Sequence, residues 1–305
     1  MSFSSDVKQE LCRIELADIK QRYSQCYGLL LFASKFSHRE IVFKTENTYT
    51  ANLFESLITE LFTPIIEKQS TLKIKNTNSN IYKFSIISPD DCRNIFENFG
   101  HNVRDLKLKI NRANIDGSEF CADFLRGAFL SCGSVTDPQK GYHLEFSVQY
   151  KTLAENLVLL INEIEVLNIT PKIACRKGGY VVYIKGNDAI CDFLGYIGAG
   201  NSVMVMIETS AYKEIRNKIN RQRNSEIANI HKLASASAKQ INAIKKIIDS
   251  GKFNELPEEL KTLANLRLEN PEMSLKELGE SLTPKISRSG VNHRLQRLLQ
   301  IAERI

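Results

Sequence analysis

The sequence predicts an α+β body made of two related halves, followed by an all-α C-terminal module. Three observations carry this prediction. Roughly the first two hundred residues repeat themselves at an offset of about a hundred. Short β-branched runs bounded by turn residues alternate there with helical patterns. The last third is helical in pattern and basic.

The repeat is clearest where Asp90–Gly100 (DDCRNIFENFG) falls without gaps on Asp188–Gly198 (DAICDFLGYIG), apolar on apolar at several positions. Other segments keep step. The helical run Gln25–Phe36 corresponds to Phe124–Val135, and Tyr49–Phe62 to Tyr150–Ile164. The β-rich pair Leu72–Lys75 and Ile81–Ile87 matches Lys172–Arg176 and Tyr180–Lys185. Each half therefore reads helix, strand, helix, strand, strand, helix. Asn76–Asn80 and Lys177-Gly178-Gly179 separate their β-branched runs as hairpin turns do. The expected organisation is a first half at 1–105, a second at 106–205, a basic helical connector at 206–250 and a terminal domain at 251–305.

The terminal segment Ser274–Ile305 reads as two short helices around a tight turn. Ser274 and Glu277 form a capping box, and Leu275, Leu278, Gly279 and Leu282 share one face, with Gly279 admitting a neighbouring helix. Thr283-Pro284 stops that helix. Ser287 caps the next, whose Val291, Leu295, Leu298 and Ala302 form an inward stripe. Ser289, Asn292, His293 and Gln296 take the opposite face. This is a helix-turn-helix pattern, and its outer face suits a DNA major groove: Asn and Gln pair with adenine edges, Ser and His with several bases, while Arg288, Arg294 and Arg297 flank the strip where phosphates would lie.

The charge is distributed to match. Residues 212–305 hold 18 of the 41 Lys+Arg and 11 of the 35 Asp+Glu, an excess of +7 against −1 for the rest. A basic third on a nearly neutral body points to a polyanion partner. Within Tyr212–Arg223 five basic residues, among them Arg216, Arg221 and Arg223, stand against one acidic residue on a helical pattern, placed to ride a DNA backbone. That pattern continues through Ile227, Ile230, Ala234, Ile241 and Ile248, with Ser235-Ala236-Ser237 a break.

The seven cysteines, odd in number and without a C-x-x-C pair, indicate neither a zinc site nor a disulfide framework. The N-terminal residues lack an apolar signal region and no run is long enough to span a bilayer, so a cytoplasmic, nucleoid-associated protein without a membrane partner is expected. The histidines have no i,i+4 pairing, and no G-x-S-x-G, Walker or dinucleotide motif occurs. No cofactor is expected.

Leu125–Gly133 (LRGAFLSCG) has the glycine spacing that lets two helices pack very closely, with Gly28 and Ser34 at the equivalent places of the first half. These helices resemble the paired interface helices of LAGLIDADG homing endonucleases. With Phe124–Phe146, Arg216–Ile230 and the terminal LRLENPEMSLKELGESL…ISRSGVNHRL, nearly the whole chain is similar to the WhiA family of bacterial regulators. The resemblance implies a LAGLIDADG-like body joined to a helix-turn-helix, acting in sporulation or cell-division gene control and chromosome segregation.

In the endonucleases an acidic residue directly before the second glycine of each helix holds the metals. Here Ala33 precedes Ser34 and Cys132 precedes Gly133, and neither a methyl nor a thiol replaces a hard oxygen ligand for magnesium. Asp123 and Asp137 lie nearby, at the start of the helix and beyond its end. The expectation is therefore a non-enzymatic regulator of transcription binding double-stranded DNA, with other transcription regulators or RNA polymerase components as protein partners. A metal-dependent nuclease and an architectural nucleoid protein are the competing readings.

Overall fold

A computed structural model of the chain describes residues 2–73, 79–104, 107–176 and 178–305. It divides into two compact units, the residues up to Lys213 and Glu214–Ile305.

The first unit opens with α1 (Phe3–Leu11), capped by Ser2, and continues into the first half: α2 (Ile19–Leu31), β1 (Lys35–Phe36), β2 (Ile41–Thr45), α3 (Thr48–Phe62), β3 (Ile66–Lys73), β4 (Ser79–Ile86) and α4 (Pro89–Asn98). The second half repeats this order as α5 (Ser118–Cys132), β5 (Gly133–Val135), β6 (His143–Val148), α6 (Lys151–Asn162), β7 (Lys172–Arg176), β8 (Gly179–Lys185) and α7 (Asn187–Tyr196). Both sheets are antiparallel and share one topology, β1-β2-β4-β3 and β5-β6-β8-β7. Equivalent central pairs, Phe43 with Phe84 and Phe146 with Val182, put buried side chains on the core face of each sheet.

The halves meet along α2 and α5. Residues Leu29, Leu30, Phe124, Leu125 and Phe129 are fully buried on this seam, and the backbones touch at Gly28 and Gly127. A Cβ at Gly28 would stand 2.1 Å from the Phe124 carbonyl oxygen, and one at Gly127 2.1 Å from that of Gln25. Only glycine permits this approach at both places.

Four sequence expectations differ from the structure. Each half carries an additional short strand, β1 or β5, directly after its first helix. The helix read at Gln25–Phe36 starts at Ile19, where Asp18 and Gln21 form a capping box, and stops at Leu31. The strand read from Leu72 begins at Ile66, because its polar run is extended by the ladder to β4 rather than by apolar burial. Nor is there a break at Ser235–Ser237: α8 is one helix, Gly200–Asp249. The buried Ser237 hydroxyl donates to Pro271 O at 2.6 Å, so a residue type typical of loops serves here as a tertiary contact. Of the two turns, Asn76–Asn78 and Lys177 lie outside the described residues, while Gly178 takes φ +90° beside the Arg176–Gly179 pair.

Within the first unit Glu10 of α1 caps the start of α8, accepting from the amides of Asn201 at 2.6 Å and Ser202 at 2.9 Å. The second unit packs the end of α8 with α9 (Glu258–Glu269), α10 (Leu275–Glu280) and α11 (Arg288–Glu303). Its core joins Ile244 and Ile247 of α8 to Leu263, Leu278, Val291 and Leu295. The terminal helical domain thus takes its fourth helix from the segment read as a connector.

Candidate nucleic-acid interface

The helix-turn-helix is built from its caps inward. Ser274 Oγ accepts from the Glu277 amide at 3.3 Å, and the Glu277 carboxylate accepts from the Ser274 amide at 2.7 Å, which closes the capping box. These bonds hold the exposed Glu277 carboxyl below its ordinary pKa. After α10, the Ile286 amide donates to Gly279 O at 3.1 Å. Gly279 serves both that turn and the approach of α11, since a Cβ there would lie 2.3 Å from the Ile286 carbonyl oxygen and 3.2 Å from Val291 Cγ2. Ser287 then caps α11, accepting from the Gly290 amide at 3.2 Å.

On α11, Val291, Leu295, Leu298 and Ala302 are buried, which leaves Ser289, Asn292, His293 and Gln296 exposed on the other side. Arg288 and Arg297 are exposed as well. Arg294 departs from the expected phosphate-facing role: it is half-buried, and its guanidinium pairs with Glu259 of α9 at 2.6 Å, within the domain. Asn292 and Gln296 stand with Arg288 on one wall of a groove whose opposite wall is α8, around Asn229 and Lys232. Ser289 and His293 do not line it. Sequence reasoning missed the groove's cations Lys232, Lys276 and Arg267. Lys232 lay on the continuing helical pattern, but nothing in the sequence signals that Arg267 is buried. Farther along α8, Arg216, Arg221 and Arg223 are exposed and form no ion pair among the described residues.

At the ends of the paired helices the chemistry is different. Ala33 ends the first run nearly buried, and burial pushes the Cys132 thiol up to about 12. The Lys8 ammonium of α1 donates to Leu130 O at 3.1 Å, where the last turn of α5 presents its carbonyls, and burial lowers its pKa. The Lys8 side chain therefore lies beside Cys132, one of the two positions where the endonuclease resemblance puts a metal-binding acid. Asp123 is 2% exposed and paired with Arg126 at 2.5 Å, whose Nε donates to Ile197 O at 2.7 Å. Burial, the largest influence, raises the Asp123 pKa against that pairing. Asp137 accepts from the Gln139 amide at 2.8 Å in the turn after β5. Among the described residues no three His, Cys, Asp or Glu side chains are grouped to hold a metal, and no helix is long and apolar enough to cross a membrane.

Two sheet-bearing halves joined through a close helix pair, followed along the chain by a capped helix-turn-helix, define a LAGLIDADG-like body and a C-terminal domain of DNA-binding type. The family model described as the WhiA LAGLIDADG-like domain matches residues 121–216, and that of the WhiA C-terminal HTH domain matches residues 219–302. A "Probable cell division protein WhiA" of Ruminiclostridium cellulolyticum is 39% identical over 312 residues, which cover 100% of this chain and 98% of that protein. One from Clostridium acetobutylicum is 38% identical over 321 residues, with the same coverage. The chain belongs to the WhiA family. Full-length DUF199/WhiA from Thermatoga maritima matches at TM-score 0.59 and 25% identity, covering 100% of this chain and 99% of that one. The N-terminal LAGLIDADG domain of DUF199/WhiA covers 65% of this chain and 92% of its own at TM-score 0.50 and 21% identity, and shares the fold of the body.

Proposed function

We propose that this chain is a non-enzymatic, DNA-binding transcription regulator acting in cell division, with sporulation and chromosome segregation as the processes it serves. The observation that carries the reading is the α11 face of Ser289, Asn292, His293 and Gln296, exposed on a helix whose other side is buried. Such a face reads base edges, while Arg288 and Arg297 beside it, and Arg216, Arg221 and Arg223 on α8, hold phosphates. Arg294 contributes by fixing α11 against α9. The relatives named as cell division proteins support the process, and the local +7 charge supports a duplex partner on the nucleoid. The near-neutral body fits contact with other transcription regulators or RNA polymerase components.

The loss of carboxylates at Ala33 and Cys132 supports a body that no longer cuts. Titration of a labelled duplex into the full chain over a salt series tests the reading, alongside plasmid incubation with magnesium. Steeply salt-dependent binding without nicking is expected. A flat salt response, or metal-dependent cleavage abolished by Asp123→Asn or Asp137→Asn, overturns it.

A further inference from the structure

Within Glu214–Ile305 the groove between α8 and the helix-turn-helix has a volume of about 660 Å³ and is unusual in its charge. Lys232 of α8, Arg267 of α9, Lys276 of α10 and Arg288 of α11 all line it, and no carboxylate does among the described residues. The acids close by stand outside it: Glu277 closes the α10 capping box, Glu280 approaches Lys276 at 3.9 Å in the solvent, and Glu272 lines the adjoining pocket that shares Asn229, Leu233 and Ser237 with the groove.

Two lining side chains are buried with unsatisfied polar atoms. Arg267 is 2% exposed, and its Nη1 donates to the carbonyl oxygens of Asn270, Pro271 and Met273, the last at 2.7 Å. No carboxylate pairs with it among the described residues, and its Nε has no hydrogen-bond partner there. Gln240, 6% exposed, likewise leaves its Oε1 without one. A buried guanidinium facing only carbonyl dipoles remains an uncompensated charge. An anion entering the groove supplies what the fold omits, and the low local dielectric strengthens that attraction.

We propose that this groove binds phosphate esters, with Lys232, Lys276 and Arg288 gripping the phosphate oxygens over the field of Arg267. Asn292 and Gln296 on the same wall then address the base or sugar attached to the phosphate. Two sources present this chemistry, the sugar-phosphate strand of a duplex read by α11 and a free nucleoside triphosphate. The first rests on the DNA-binding reading; the second does not.

The full-length protein with Lys232→Gln or Lys276→Gln tests it, with Lys245→Gln, exposed on α8 but outside the groove, as control. Anisotropy with a labelled random-sequence duplex forms one arm, calorimetric titration with ATP the other, and circular dichroism melting confirms that each variant folds. In the duplex arm each lining variant weakens binding about 3- to 10-fold and lowers the log–log salt slope by about one, while the control matches wild type. In the ATP arm saturable binding to wild type disappears in the lining variants. A loss in the first arm alone assigns the groove to the DNA backbone, and one in the second alone to a free nucleotide. Unchanged duplex affinity and slope together with no saturable ATP binding overturns the proposal, yet leaves DNA binding intact. A wild-type protein that holds no duplex refutes the DNA reading instead, whatever ATP does.

Discussion

Replacing Gly28 by alanine places a methyl group into the backbone of the partner helix. At Gly28 the added Cβ meets Phe124 O at 2.1 Å and the Ala128 amide nitrogen at 2.8 Å. Ordinary contact starts at 3.4 Å, so relief requires 1.3 Å of movement between α2 and α5. The obstacle is main chain, so no side chain can turn aside. Separating the helices also loosens the buried Tyr27, Leu30, Phe124 and Phe129 around the seam. Overpacking costs about 1–3 kcal/mol, and a clash with two backbone atoms belongs at the top of that range, about 3 kcal/mol. For a unit of this size that is a melting shift of roughly 6–12 °C. Gly127→Ala strikes Gln25 O at the same 2.1 Å and should cost about as much. The double variant should cost less than the sum, because the first substitution already parts the pair. Thermal melting of the full chain by circular dichroism reads both. A fall under about 2 °C for Gly28→Ala, or strict additivity in the double variant, refutes the reasoning.

Two further outcomes follow from burial. Leu295→Ala removes a fully buried side chain from the helical unit and should destabilise it by about 2–5 kcal/mol, read as an early transition in urea; a loss under about 1 kcal/mol would mean α11 is not seated as described. Burial raises the Cys12 thiol to about 11 and Cys132 to about 12, and pushes Cys26 up still more strongly. The folded protein therefore presents almost no thiolate at these sites near neutral pH, and their reactivity rises only as pH approaches the raised values. Mild alkylation followed by peptide mass mapping should mark the exposed Cys175 on β7 first. Labelling of Cys132 at the same rate contradicts this.

What the sequence disclosed was what periodicity encodes. The repeat gave both halves because α4 and α7 bury apolar residues at matching steps, Cys92 and Ile95 against Ile190 and Phe193. The glycines at 28 and 127 gave the seam. Strands β1 and β5 left no trace, since two or three residues carry no period and are held by the ladder to β2 or β6. The continuity of α8 was hidden because Ser237 gains its role from Pro271, far along the chain. In the same way the caps and inward stripe of α11 were legible from spacing, whereas the Arg294–Glu259 pair and the burial of Arg267 depend on how α9 packs, which no local pattern records.

The most direct test of base reading by α11 is a comparison of Asn292→Ala with Arg297→Ala in the full chain, using a panel of duplexes selected by the wild-type protein. Both side chains are exposed, so neither substitution should disturb folding. Asn292→Ala should lose about 1–3 kcal/mol at the preferred site and relax preference at one or two base pairs. Arg297→Ala should weaken all sequences alike and reduce the salt slope by about one. A stable Asn292→Ala protein with unchanged site preference would contradict recognition through this face of α11.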